Sequence, residues 1–303
     1  MAGINIKTMI LAAGFGTRLR PLTLITPKTL MPIANIPLID RIMEYLACFG
    51  ADDVIINAHY MPDKIIDHFT SRKGLITPKI AVENEILGTG GGIANMAAHL
   101  NSKDFLVING DIFCCPDLDS LIDTHYKTGA LATLLLHDYE TLNKISLNEE
   151  GLITEIPEGY PKLCGKRYAF TGIQVISCEA VDRIPGRDVF SDIMDCYRAL
   201  IKEGKPIAGL VAEGMYWCDI VNPYMYMEAN RHAMNREKLI CGKDSVILPD
   251  TCIDDWAIVG NRVKFGRNST VRRSVIWDDA VIEDNSTIED SVVTGNGIVS
   301  GLL

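Results

Sequence analysis

The sequence predicts an α/β protein of Rossmann-like, doubly wound type, with a mixed and mostly parallel sheet, followed by a short β-helix. Between Lys7 and Asn235, short apolar runs alternate with stretches of helical spacing, as parallel strands do when helices join them. The first connection, Leu11 to Ile33, is far longer than an ordinary βα loop. Long ordered loops at the carboxyl ends of parallel strands are where α/β sheets bind ligands. From about Cys241 the texture changes. Ile253, Val259, Phe265 and Val271 recur at every sixth position, and after one slip so do Ile276, Ile282 and Ile288. A period of six belongs to β-helix coils, where ordinary strands would show a period of two.

Lys7–Leu11 is a buried first strand, and Leu38–Phe49 is an amphipathic helix stopped by Gly50. Asp53–Asn57, Lys79–Val82, Phe105–Asn109, Ala130–Leu136, Ala169–Ser177 and Ile207–Val211 are apolar strand-length runs. Helices are expected over Pro62–Phe69, Ile93–Leu100, Leu118–Lys127, Val189–Lys202 and Pro223–Asn235. A boundary at 236/237 separates the α/β part, residues 1–236, from the repeats, residues 237–303.

A chain of 303 residues has room for one large domain, or for two with a small second one. A hydrophobic share of 48% and a charged share of 22% allow a sizeable core. Lys and Arg number 29 against 39 Asp and Glu, a formal net charge of −10. That balance argues against non-specific binding to nucleic acid or anionic membrane. Any polyanionic substrate must be held by a few local cations. Nine cysteines contain no CxxC pair and fit neither a disulfide framework nor a zinc site. The adjacent Cys114 and Cys115 are expected to be buried thiols. No signal peptide opens the chain and no apolar run would span a bilayer, so the expected location is the cytoplasm.

The first loop reads LAAGFGTRLRPLTLITPKTLMPI. Ala12, Ala13, Gly14 and Gly16 leave backbone N–H groups free to converge on phosphate oxygens. Arg18 and Lys28 add a forked cation and a point cation, and Pro21, Pro27 and Pro32 stiffen the loop that carries them. No Gly-Lys-Ser/Thr follows the glycines, so the loop is not a Walker A motif; Leu19 breaks GxGxxG. The glycines alone would suit a flexible turn, but the full pattern of glycines, Arg, prolines and Lys is dense and specific. It resembles the signature of the sugar-1-phosphate nucleotidyltransferases, which make nucleotide sugars from a nucleoside triphosphate.

The resemblance implies a reaction, its substrates and a set of site residues. A nucleoside triphosphate and a sugar 1-phosphate would be the partners, and Mg²⁺ the cofactor. Leu11, Ala12, Ala13, Gly14, Gly16 and Thr17 would bind nucleotide, with Arg18 and Lys28 acting on the phosphates. Leu87-Gly88-Thr89 resembles the family's base-wrapping segment, with the GTGGG run read as a bare loop opening a helix. Either Glu83 or Glu85 could accept the two adjacent donors of a guanine edge. Asp111, in Asn109-Gly110-Asp111, and Asp219, in a WxD segment, would hold the metal. Asn109, Glu155 and Gly172 would face the sugar.

The pattern thins in the middle of the chain. Ile156 stands where the family has a sugar-phosphate lysine, leaving Lys162, Lys166 or Arg167 as substitutes, and Val221-Asn222-Pro223 replaces Gly-Thr-Pro. The expected activity is guanylyl transfer to mannose 1-phosphate or a manno-heptose 1-phosphate. Uridylyl transfer to a sugar such as N-acetylmuramate 1-phosphate is the alternative, and a non-catalytic sensor of nucleotide sugars a further one. A hexapeptide acyltransferase is set aside, since no histidine follows His232. The resemblance also implies that the β-helix is left-handed. Its apolar end at Leu302-Leu303 needs cover, which predicts a homo-oligomer, most simply a dimer. Every charged residue assigned a role precedes residue 241, so removal of the tail is expected to reduce solubility or assembly order and need not abolish the chemistry.

Overall fold

The computed structural model describes residues 6–72, 74–99, 102–159, 165–186 and 188–299. Two compact units result. The first holds Met1–Phe15 and Ile42–Trp217, the second Gly16–Arg41 and Cys218–Leu303.

Seven strands of the first unit form one sheet: β1 (Lys7–Leu11), β2 (Val54–Ala58), β3 (Lys79–Val82), β4 (Asp104–Asn109), β5 (Ala132–His137), β6 (Ala169–Ser177) and β7 (Ile207–Val211). Their spatial order is β7-β5-β6-β4-β1-β2-β3. All neighbours are parallel except β6, which runs antiparallel to β4 and β5. The expected mixed, mostly parallel sheet is therefore present. Its central strands are near-continuous apolar runs because helices cover both faces. The helices are α1 (Leu38–Cys48), α2 (Pro62–Thr70), α3 (Gly88–Ala97), α4 (Leu118–Thr128), α5 (Cys178–Val181) and α6 (Ile193–Lys202). Leu11 lies level with Asn57 on one side and Asn109 on the other. The carboxyl ends of β1, β2 and β4 thus form one edge, from which the first unit's candidates Leu11, Ala12, Ala13, Gly14, Asn109 and Asp111 extend.

One element differs from expectation. The GTGGG run is not a loop; it is the first part of α3, which begins at Gly88. The glycines are bare because other backbone packs on them. A Cβ at Gly91 would lie 2.5 Å from the carbonyl oxygen of Val189, and one at Gly90 2.7 Å from Ser191 Oγ. The thiols also differ: Cys114 is half-buried and Cys115 exposed.

In the second unit, α7 (Pro223–Ala233) starts behind Asn222, whose side chain accepts from Met225 N, with Pro223 at the first helical position. That cap gives Val221-Asn222-Pro223 a local role in place of Gly-Thr-Pro. Beyond it, short strands stack in parallel at intervals of 17 or 18 residues, Cys252 beside Thr270 and Thr270 beside Thr287. The sixfold apolar positions fall into columns: Ile253 beside Val271 beside Ile288, Val259 beside Ile276, and Phe265 beside Ile282. The column residues other than the half-buried Ile253 are buried. A register shift between Asp254 and Ala257 accounts for the slip in period. Val292–Thr294 then pairs antiparallel with Gly297–Val299. The end at Leu302-Leu303 lies outside the described residues, as does Lys162.

Candidate active site

The first unit builds its part of the site on the shared strand edge. Ala12 N donates to Asn57 Oδ1 at 2.7 Å, and Asn57 Nδ2 donates to Glu83 Oε1 at 2.7 Å. Glu83 Oε2 in turn accepts from Leu87 N at 3.3 Å. This buried relay ties the first loop to the segment entering α3, and sequence reasoning missed its centre, Asn57. The only available signal was a polar residue closing an apolar strand. Glu83 is 4% exposed and each of its oxygens has one partner, while Glu85 is exposed. A carboxylate has about four acceptor positions, so Glu83 keeps capacity for a ligand donor.

The remaining residues of that unit fall into small groups. Ala12 and Ala13 are buried, Gly14 is exposed, and Leu11 O accepts from Gly110 N at 2.8 Å. That bond fixes the turn leading to the half-buried Asp111. Thr89 Oγ1 accepts from Ile193 N at 2.9 Å and lies 3.1 Å from Asp192 Oδ1, joining the starts of α3 and α6. Asn109 and Gly172 come together: Gly172 has φ +84°, and a Cβ there would sit 2.7 Å from Asn109 Nδ2. Only glycine serves at that position. Glu155 is paired with Arg167 Nη2 at 3.0 Å. Ile156 is a core residue, 5% exposed, so a lysine at this position would be buried among apolar groups.

The second unit brings Lys28 and Asp219 together, with Nζ 3.8 Å from Oδ1 and the lysine side chain 11% exposed. Thr17 and Arg18 are exposed on a short 3₁₀ turn. Gly16 has φ +60°, and its carbonyl accepts from the buried Thr23 Oγ1 at 2.8 Å, a cross-brace that sequence reasoning missed. The sequence pairs Asp111 with Asp219; they belong to the first and second units respectively. Among the described residues no group of three or more His, Cys, Asp or Glu side chains is assembled for a metal. What these two residues offer is hard carboxylate oxygen, which fits Mg²⁺ sharing its coordination with phosphate oxygens.

The sequence profile described as Nucleotidyl transferase matches residues 7–236. A Mycobacterium tuberculosis protein named mannose-1-phosphate guanylyltransferase is 28% identical over 300 residues, covering 93% of this chain and 83% of that protein. A Schizosaccharomyces pombe mannose-1-phosphate guanyltransferase is 29% identical over 273 residues, covering 85% of this chain and 74% of its own. Among solved structures, HddC from Yersinia pseudotuberculosis complexed with GMP-PN is similar. Its TM-score is 0.63 at 25% identity, and the match covers 75% of this chain and 99% of that one.

Proposed function

Because the chain belongs to the nucleotidyl transferase family and acts as a sugar-1-phosphate nucleotidyltransferase, we propose that it transfers GMP from GTP to mannose 1-phosphate or a manno-heptose 1-phosphate. An oxygen of the sugar phosphate attacks the α-phosphorus of GTP. One P–O bond forms as the bond between the α-phosphorus and its bridging oxygen breaks, and pyrophosphate leaves. A phosphate oxygen is already anionic near neutrality, so no side chain has to act as base. Alignment and charge neutralisation carry the rate. Arg18 holds the β- and γ-phosphates and supports the leaving pyrophosphate, while Lys28 neutralises charge on the reacting phosphates. Asp111 and Asp219 are the proposed ligands of Mg²⁺, which supplies charge neutralisation at the phosphates when bound. At saturating Mg²⁺, Asp111→Asn or Asp219→Asn is expected to lower turnover roughly a hundredfold or more with the fold intact. Near-normal turnover in either variant removes that residue from the site.

The observation that carries the guanine reading is Glu83, a carboxylate oriented by Asn57 and Leu87 N on the segment leading into Leu87-Gly88-Thr89. Exposed Glu85 is the second candidate reader. The names of the two guanylyltransferases and the GMP-PN complex of HddC support the same base. Asn109, Glu155 and Gly172 are proposed to face the sugar. Residues 1–236 are proposed as the catalytic domain, a boundary supported by the match over 7–236, with residues 237–303 as a left-handed β-helix. A homo-oligomer, most simply a dimer, is proposed, with sedimentation of the full chain as its test. The substrates are tested by pyrophosphate release, crossing the common nucleoside triphosphates with a panel of sugar 1-phosphates. Preference for UTP would overturn the guanine reading.

A further inference from the structure

The segment after Lys28 is held in an unfavourable shape. Lys28–Leu30 is a single 3₁₀ turn, and Pro32-Ile33 pairs with Ile36-Pro37 in a minimal antiparallel hairpin. Its two tip residues, Ala34 and Asn35, both have positive φ, 47° and 63°. Such a turn suits glycine and asparagine and is strained for alanine. Two bonds fix the tip: Ala34 N donates to Asn230 Oδ1 at 2.9 Å, and Asn35 Nδ2 donates to Val259 O at 2.6 Å. At the base Tyr226 OH donates to Pro32 O at 2.6 Å, and Arg41 Nε and Nη2 donate to Ile33 O at 3.0 and 2.7 Å. The Tyr226 hydroxyl also accepts from Trp277 Nε1 at 2.9 Å. Tyr226 and Asn230 stand one turn apart on α7, both fully buried, and Asn230 Nδ2 donates to Tyr226 O. Burial pushes the Tyr226 phenol pKa up, which favours the protonated hydroxyl that donates to Pro32.

Val259 and Trp277 belong to the stacked coil, whereas Pro32 and Asn35 belong to the signature loop. Helix α7 joins them, and Asp219 lies just ahead of its cap. The coil, α7 and the hairpin therefore form one scaffold, with Lys28 and Asp219 at its working end, 3.8 Å apart. We propose that the C-terminal coil positions the catalytic lysine, through Trp277, Tyr226 and the Pro32–Pro37 hairpin. This inference rests on the role given to Lys28 above. Phosphoryl transfer depends on alignment, and a misplacement of about 1 Å can cost on the order of a hundredfold in rate. Trp277, Tyr226 and Asn35 are thus positioning residues.

Two full-length variants test this. Trp277→Phe keeps a ring and deletes the indole donor, while Asn35→Gly keeps the turn and deletes only the bond to Val259. Each is expected to lower kcat, about tenfold for Trp277→Phe, with KM for both substrates within about threefold of wild type. Hydrogen exchange should quicken in peptides covering residues 26–38 and stay unchanged in β1 and β4. In a Lys28→Ala background, Trp277→Phe should change kcat by less than about twofold, because the two act as a unit. Wild-type kcat and wild-type exchange in both folded variants would overturn the inference. So would an undiminished Trp277→Phe effect in the Lys28→Ala background. Wild-type turnover in Lys28→Ala would overturn the role of Lys28 and the inference with it. An inactive Lys28→Ala beside an unaffected Trp277→Phe would overturn the inference alone.

Discussion

At the scale of single residues, the candidate charges sit in short motifs, and the bonds that hold their loops come from elsewhere in the chain. Arg18, Lys28, Asp111 and Asp219 stand in a dense local pattern. Asn57 and Tyr226 act across long sequence separations, so no local spacing marks them. Glu83 shows the difference: its type and place were readable, its buried bond to Asn57 was not. If a carboxylate reads guanine, the Gln variant of the responsible residue should narrow the preference for GTP over UTP by roughly 1–3 kcal/mol, the cost of an unsatisfied buried donor. Glu83→Gln and Glu85→Gln, measured separately by pyrophosphate release, identify which one it is. His125 carries a second residue-scale expectation. It is 4% exposed, with Nδ1 3.0 Å from Thr133 Oγ1 and Nε2 3.5 Å from Asp104 Oδ1. Burial pushes its pKa below the ordinary 6.5, and Asp104 opposes that shift without reversing it. The unfolded chain then binds this proton more readily than the folded one. The contribution of neutral His125 is complete above about 6.5 and is lost as pH falls through the depressed value. Denaturant titrations from pH 7 to 5 should show stability falling, with a flatter slope in His125→Gln.

Among the elements, strands were the most readable, because β1, β2 and β4 are apolar runs whatever their neighbours. Helix α3 was misplaced because five residues rich in glycine have poor intrinsic helix propensity. Packing overrides that preference, since Val189–Ser191 lies directly against the glycine backbone. Gly91→Ala should gain helix propensity and still destabilise the protein. Its Cβ would fall 2.5 Å from a backbone carbonyl that cannot swing aside, an overpacking cost of ~1–3 kcal/mol. A raised melting temperature in this variant would show that Val189–Ser191 yields easily. In the coil, the sixfold apolar period was readable because one inward residue per short strand is needed to fill each column. The corners carry ion pairs one turn apart, Arg262 with Asp279 and Arg273 with Asp290. Arg262–Asp279 is exposed and Arg273–Asp290 only half-buried; water screens such pairs, which contribute little, so the buried columns dominate the stability of the coil.

At the scale of the whole molecule, the assignment of residues 16–41 to the second unit was not legible, because it rests on contacts between distant parts of the chain. With the positioning role proposed for the coil, it bears on the expectation that removing the tail need not abolish the chemistry. Deleting residues from 241 onward removes Val259 and Trp277, and with them the bonds to Asn35 and Tyr226. The truncated chain should therefore lose turnover as well as solubility, about tenfold or more if alignment is what fails. Pyrophosphate release from the soluble fraction, normalised to folded protein, is the measurement, and full turnover would count against that positioning role. The same arrangement sets an order of events during synthesis. Pro32 waits for Tyr226 across 194 positions, and Asn35 for Val259 across 224. At translation rates of about 5–20 residues per second, the signature loop stays without its final partners for roughly ten to fifty seconds after it is made. The strands of the first sheet can pair in that interval. A nascent chain halted before residue 226 would carry Arg18 and Lys28 on a loop still lacking its bonds to Tyr226, Asn230 and Val259, so the earliest part of the site to be translated is among the last to be fixed.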